Sequence, residues 1–215
     1  MDQAALIRAA FPSHGPAWEA AIDYGIDVSL LVGNLEFTPT ERLRQLQRLL
    51  ARMRAFRPRE RGDVLSVEDE LFRRLTAEGV DFIVVGGVAA VAYGSAMATD
   101  DLDIAAPFTV ENMRRLLAAL EGLHPRYFMT PDKRPVAESA EQLAKNRNLY
   151  LLTDLGRLDI LGSVPPVGTF EEVAQRAEVM TVLGQPVRVI ALDDLIAVKA
   201  AVGRPKDRHV EHELR

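Results

Sequence analysis

The chain of 215 residues contains no cysteine. That excludes disulfide staples, zinc–thiolate sites and thiol nucleophiles, and it fits a reducing, cytoplasmic setting. Aromatic residues make up only 6% of the chain, with a single tryptophan. Trp18 and Tyr24 read as packing residues rather than base-stacking platforms. No apolar run approaches the roughly 18 residues that a membrane-spanning helix needs, so no membrane association is expected. The opening MDQAALIRAAFPSHG has no basic segment followed by an apolar one, and no secretory leader is expected there. With 26 Lys and Arg against 31 Asp and Glu, the net charge of −5 argues against a protein that is basic all over. A local basic surface is still compatible with that balance.

What is present is the composition of an ordinary globular protein, 48% hydrophobic and 27% charged. The length suits one domain or a domain with an appendage. Residues 1–65 read as a helical module and linker, and 66–215 as a second, mixed α/β domain with a C-terminal helix. Thr38 as N-cap, Pro39 at the first helical position and Glu41 three residues after the cap open a helix. Leu43, Leu46, Leu50, Met53 and Phe56 follow at helical spacing. Eight arginines stand against two glutamates between 41 and 61, with Arg44, Arg48 and Arg52 on one face. Such a face is by default solvated; its other use is to bind nucleic acid or a partner protein. "RPRERGD" reads as the linker.

From Ser66 a helix capped by Ser66 and Asp69 carries Leu71, Phe72 and Leu75 to Gly79. "DFIVV" predicts a buried strand, followed by a Gly-Gly turn and a small-residue helix to Gly94. "LDIAA" predicts a second strand, and Thr109 opens a helix with Met113, Leu116, Leu117 and Leu120 on one face. "NLYLLTDLGRLDIL" predicts two strands about Gly156, and "AEVMTVLGQPVRVIA" a hairpin turning at Gly184-Gln185. Asp193 or Asp194 opens the last clear helix.

Two carboxylates interrupt the second strand. Side chains alternate across a strand, so Asp101 and Asp103 share one face while Leu102 and Ile104 share the other. Neighbouring anions repel unless a cation or a proton lies between them. "GRLDIL" repeats the pattern, with Arg157 and Asp159 on one face and Leu158 and Ile160 on the other. If the two strands are neighbours, three carboxylates converge, a hard oxygen set that suits Mg²⁺. Gly86 and Gly87 lack side chains, so the backbone N–H groups at the next helix start can approach a phosphate. Either motif alone is weak. Their order along the chain is what makes them specific.

"GGVAAVAYGSAMATDDLDI", "GRLDIL" and "LDDLIAVKAAVGRPKDRHVEHEL" together resemble the nucleotidyltransferase fold of the DNA polymerase β superfamily. The likeness spans roughly 66–210. It is strongest to small bacterial nucleotidyltransferases of the toxin–antitoxin and abortive-infection type. The resemblance implies an α/β (α+β) core, a mixed sheet with helices mainly on one face. It implies Asp101, Asp103 and Asp159 as catalytic metal ligands for one or two Mg²⁺ ions. Gly86, Gly87 and Lys199 would be the groups that steady the phosphates of a nucleoside triphosphate. The implied reaction moves a nucleoside monophosphate to a hydroxyl on RNA, such as a tRNA 3′ end, on a protein side chain, or on a small molecule such as an aminoglycoside, with RNA or protein favoured by the toxin–antitoxin likeness. "AAIDYGIDVSLLVGNLEFTPTERL" resembles helical segments that accompany such enzymes. The chain departs from the pattern at Met97, where close relatives carry an arginine.

Other charged and histidine residues carry weaker signals. Arg204, Lys206 and Arg208 suit either a polar helix end or a phosphate or RNA contact. Lys199 could also snorkel to the surface. His209 and His212 lack a third zinc ligand, and His14 and His124 show no recognisable partners. Lys133 and Arg134 read as ordinary loop charges. The competing reading is a non-catalytic interaction module of the same fold, antitoxin-like, using the arginine-rich helix. Met97 favours it and the three retained aspartates oppose it.

Overall fold

A computed structural model describes residues 3–55, 67–99, 101–182 and 185–215. The expected linker over 57–63, Phe56, the Ser66 cap and Gly184 lie outside the described residues. So do the side chains of Leu50, Arg52, Met53 and Asp69.

Four helices come first: α1 (Gln3–Ala10), α2 (Pro16–Tyr24), α3 (Val28–Leu35) and α4 (Pro39–Ala55). Helix α4 begins as its sequence dictates. The Glu41 N–H donates to the Thr38 hydroxyl at 3.3 Å, and the Thr38 N–H donates to the Glu41 carboxylate at 2.8 Å. That reciprocal pair satisfies two donors left open at the helix start. Ala21, Ile22, Ile26, Val28 and Leu31 form a small apolar cluster of their own, with Ile7 and Trp18 against it. Leu43 of α4 instead joins the main core, with Leu46 packed beside it.

The elements α5 (Val67–Ala77), β1 (Ile83–Val84), α6 (Gly86–Tyr93), β2 (Asp101–Ala105) and α7 (Val110–Ala119) follow. After them come β3 (Arg126–Tyr127), α8 (Ala140–Leu143), β4 (Asn148–Thr153) and β5 (Gly156–Leu161). A two-stranded sheet of β6 (Ser163–Val164) and β7 (Gly168–Thr169) precedes α9 (Phe170–Arg176). The chain ends with β8 (Glu178–Val182), β9 (Gln185–Val189), α10 (Leu192–Val202) and α11 (Pro205–Leu214).

The main sheet is mixed and has seven strands in the order β3-β4-β5-β2-β1-β9-β8. The mixed α/β class expected from the sequence is the one observed. Strand β2 runs antiparallel to β1 and parallel to β5, and β1 runs parallel to β9. Leu102, Ile104, Leu158 and Ile160 are buried to 1% exposure or less, which fixes the register of the two central strands. Helix α6 is apolar all round and buried from Val88 to Ala92, so it lies inside the fold rather than on it.

Two expectations need correction. The "DFIVV" strand is only two residues long, because Val85 already caps α6. The last clear helix starts at Leu192 and is not the last. Gly203 turns left-handed at φ 64°, and Pro205 then sits in the first turn of α11. Two short helices unmarked in the sequence reading, α8 and α9, each carry a capping box, Ser139 with Gln142 and Thr169 with Glu172.

A partly buried cation, Arg42, helps tie the N-terminal helices to the sheet domain. Arg42 donates from Nε to the Asn34 carbonyl at 2.8 Å, from Nη1 to the Ala92 carbonyl at 2.5 Å and from Nη2 to the Leu35 carbonyl at 3.4 Å. These carbonyls belong to the last turns of α3 and α6, where acceptors are left open and the helix dipole is negative. Asn34 adds bonds to the carbonyls of Gly94 and Ser95. Arg42→Ala should therefore cost about 2 kcal/mol, the worth of a charged hydrogen bond to the buried Ala92 carbonyl with weaker help from its other two bonds. Thermal unfolding should show a fall of several degrees, with Arg42→Lys recovering part of it. An unchanged midpoint would show that the contacts carry no stability.

Candidate functional site

The parallel pairing of β2 with β5 sets Asp101 opposite Arg157 and Asp103 opposite Asp159. Registered partners in a parallel pair point to the same side, so the four charged side chains share one face of the sheet. Asp159 is therefore on the same side as Asp103. The aliphatic residues between them face the core.

Each carboxylate has a different partner. Asp101 accepts the Thr99 hydroxyl at 2.6 Å. Asp103 accepts the backbone N–H of Gly87, the second residue of α6. Asp159 accepts a two-pronged contact from Arg157, Nε to Oδ1 at 2.8 Å and Nη2 to Oδ2 at 2.5 Å. The Arg157 guanidinium in turn lies 4.4 Å from the centre of the Phe128 ring, a cation–π contact.

The glycine pair is required by close approach. Gly86 has φ 64°, and a Cβ there would come within 2.0 Å of an Asp103 carboxylate oxygen. A Cβ on Gly87 would come within 2.4 Å of the Thr99 hydroxyl oxygen. The turn thus closes directly onto the two residues that carry or support the acidic pair. The Asp103 carboxylate occupies one of the N–H groups at the start of α6.

Lys199 does not snorkel. It is 8% exposed and donates to Asp207 at 3.1 Å, and Asp207 is 1% exposed. Arg204 adds a second bond to Asp207 at 2.6 Å. Burial alone would raise the Asp207 carboxyl, but the bonds from Arg204 and Lys199 outweigh it and hold its pKa below the ordinary value. Both cations also reach the acidic face: Lys199 favours the charged form of Asp103, and Asp101 and Asp103 reinforce the charge on Arg204.

Asp103 feels the crowding most. Burial first, then the charges of Asp101 and Asp159, push its pKa up to about 6; the Gly87 N–H and Lys199 only partly offset this. Two carboxylates facing one space, one of them destabilised when charged, are a donor set that fits a hard divalent cation. As they stand, the described residues contain no group of three or more acidic or histidine side chains arranged to hold a metal ion. Asp159 is held by Arg157 instead.

The remaining sequence candidates lie elsewhere in the structure or have other partners. Met97 is partly buried and packs against the main core, and its N–H is held by the Ser95 hydroxyl. His212 stacks on Tyr24 with ring centres 4.2 Å apart, and His209 faces Glu213 at 3.6 Å. His124 and His14 do have partners: Asp154 at 2.7 Å and the edge of Trp18 at 4.8 Å, respectively. Arg44 and Arg48 are exposed on α4. Sequence reasoning missed Thr99, Phe128 and Asp207, and it noted Arg157 without giving it a role. The Arg-x-Asp alternation in β5 was a usable signal for Arg157. Nothing in the spacing joins Lys199 to Asp207, because Gly203 breaks the helix between them.

No protein-family model and no curated protein matches the sequence. Among solved structures, the chain is similar to the antibiotic-resistance factor ANT(2'')-Ia, an aminoglycoside nucleotidyltransferase known from a solution structure. Identity is 16% and the TM-score 0.47, over 69% of this chain and 80% of that one. Among the described residues, no helix is long and apolar enough to cross a membrane.

The crowding predicts a sign for pH dependence. Asp103 has an ordinary pKa of 3.8 and a folded value of about 6. Below 3.8 both states are protonated, and the group does not affect stability. Between these values the unfolded chain ionises first, so stability falls as pH rises. Above 6 the full penalty of up to about 3 kcal/mol is in place. Without divalent cations, Asp103→Asn should therefore raise the Tm at pH 7.5, with the gain fading by pH 4. A gain that is equal at both pH values would show that charge crowding is not its cause.

Proposed function

We propose that the protein is a nucleotidyltransferase, moving a nucleoside monophosphate from a nucleoside triphosphate to an acceptor hydroxyl with release of pyrophosphate. The observation that carries the reading is the in-register placement of Asp103 beside Asp159, with Asp101 on the same face and the Gly86-Gly87 turn closed upon them. In the reaction the acceptor oxygen bonds to the α-phosphorus as the bond to the pyrophosphate oxygen breaks.

Asp101 and Asp103 would hold Mg²⁺, and Asp159 would complete a second position. A bound divalent cation neutralises charge on the phosphates and favours an ionised acceptor. The chain's own residues bind and orient. Gly86 and Gly87 let the start of α6 close onto Asp103 and Thr99, which would bring the helix N-terminus beside phosphates held at the acidic face. Thr99 fixes the rotamer of Asp101. Lys199 and Arg204, both anchored by Asp207, place positive charge next to the acidic face without needing to touch the substrate. The proton leaving the acceptor hydroxyl would pass toward Asp159.

The acceptor we favour is RNA, such as a tRNA 3′ end, or a protein side chain, in a toxin–antitoxin setting. Support comes from the sequence resemblance and from the exposed Arg44 and Arg48 on α4, a surface on which such a partner could dock. The division into a helical module over 1–65 and a transferase domain over 66–215 belongs to the same reading. The second reading, a non-catalytic binding module of this architecture, is favoured by the Arg157 fork on Asp159.

Labelled nucleoside triphosphate, Mg²⁺ and a cell extract separate the two readings. Label should move to a macromolecule, and Asp103→Ala should reduce the transfer by at least about a hundredfold, as for loss of a principal catalytic electrostatic group. No transfer with any of the four triphosphates would favour the binding module. Unchanged transfer by Asp103→Ala would assign the activity elsewhere.

A further inference from the structure

The three carboxylates are not equivalent. Asp101 and Asp103 are met by neutral donors, a hydroxyl and a backbone N–H, which leave their charge available to a cation. Asp159 is met by a full positive charge on both oxygens at once. The Asp159 side chain is 6% exposed and that of Arg157 32%, so solvent reaches the pair from the guanidinium side alone. The planar fork of a guanidinium matches a carboxylate better than any other side chain does. Arg157 is also held from its other side by the Phe128 ring, next to the short strand β3 at the sheet edge. Lys133 lies 5.7 Å from the centre of the same ring.

From this asymmetry we infer that Arg157 is a positioning residue that withholds Asp159 from divalent cations. The inference rests on the nucleotidyltransferase reading only for its use in a reaction; the competition itself is a property of the Arg157–Asp159 pair. A cation that engages Asp159 must displace the fork or share the carboxylate with it, and two positive charges within a few ångströms repel. The site therefore offers two ready ligands and one withheld ligand. A cation bound between Asp101 and Asp103 is the ground arrangement, and recruitment of Asp159 requires that Arg157 leave the carboxylate. The fork suits a phosphate as well as a carboxylate, so the triphosphate itself carries a group able to take Arg157.

Titration calorimetry with Mn²⁺ alone, on the full chain, tests the competition. Arg157→Gln should bind Mn²⁺ roughly tenfold to a hundredfold more tightly, the range set by loss of a charged pair. Asp159→Asn alone should weaken Mn²⁺ binding, because it leaves the Arg157 charge unpaired beside Asp101 and Asp103. The double variant should lose the gain. That dependence on Asp159 is a readout a purely structural role for Arg157 would not produce. If Arg157→Gln fails to fold, Arg157→Lys keeps a charge without the fork and should show a smaller gain in the same direction. Equal affinity in wild type and the Arg157 variants, or a gain that survives Asp159→Asn, would overturn the inference. The functional reading fails separately, if Asp103→Asn leaves wild-type Mn²⁺ affinity unchanged.

Discussion

Like charge held on one face of a sheet is the constraint around which the site is built. Five residues of β2 pair with five of β5, and the buried aliphatics between the acids leave that register no alternative. A shift by one residue would turn Leu102, Ile104, Leu158 and Ile160 out of the core and the aspartates into it. Burial of the aliphatics therefore places Asp101, Asp103 and Asp159 together, even though the three charges repel. Hydrophobic burial supplies the force, and the carboxylates are positioned by it.

The rest of the neighbourhood responds to that repulsion. Arg157 neutralises Asp159 from within the same strand. Lys199 and Arg204 approach from the C-terminal helices, but both are bound to Asp207, which fixes their distance from the acidic pair. Gly87 lends a backbone N–H. These offsets are incomplete, since burial and the neighbouring charges still push the Asp103 carboxyl up to about 6. An unrelieved anionic site of this kind gains from a divalent cation, and that links the electrostatics of the fold to its chemistry.

Much of this was legible in the sequence because it depends on local pattern. The alternation in "DLDI" and "RLDI" gave the shared face, the Gly-Gly pair gave the turn, and Thr38-Pro39 with Glu41 gave the start of α4. Nothing in the sequence stated that β2 and β5 are adjacent and parallel; that depends on the order of seven strands. The Lys199–Asp207 pair was hidden for the same reason, being made across a helix break. Arg42 was only one of the eight arginines between 41 and 61, yet it caps two helix ends through the carbonyls of Asn34, Leu35 and Ala92. Met97 stood out against the resembled family, and the structure gives it an apolar contact with the core. Strand β3, two residues long, has too little pattern to be seen.

The central claim is that the crowded acidic face is a cation site for a nucleoside triphosphate. Anomalous diffraction from crystals grown with Mn²⁺ and a non-hydrolysable nucleoside triphosphate addresses it directly. The account predicts a manganese peak within about 2.0–2.6 Å of carboxylate oxygens of both Asp101 and Asp103, with the triphosphate over the Gly86-Gly87 turn. Manganese bound elsewhere, or a nucleotide lying away from that face, would contradict it.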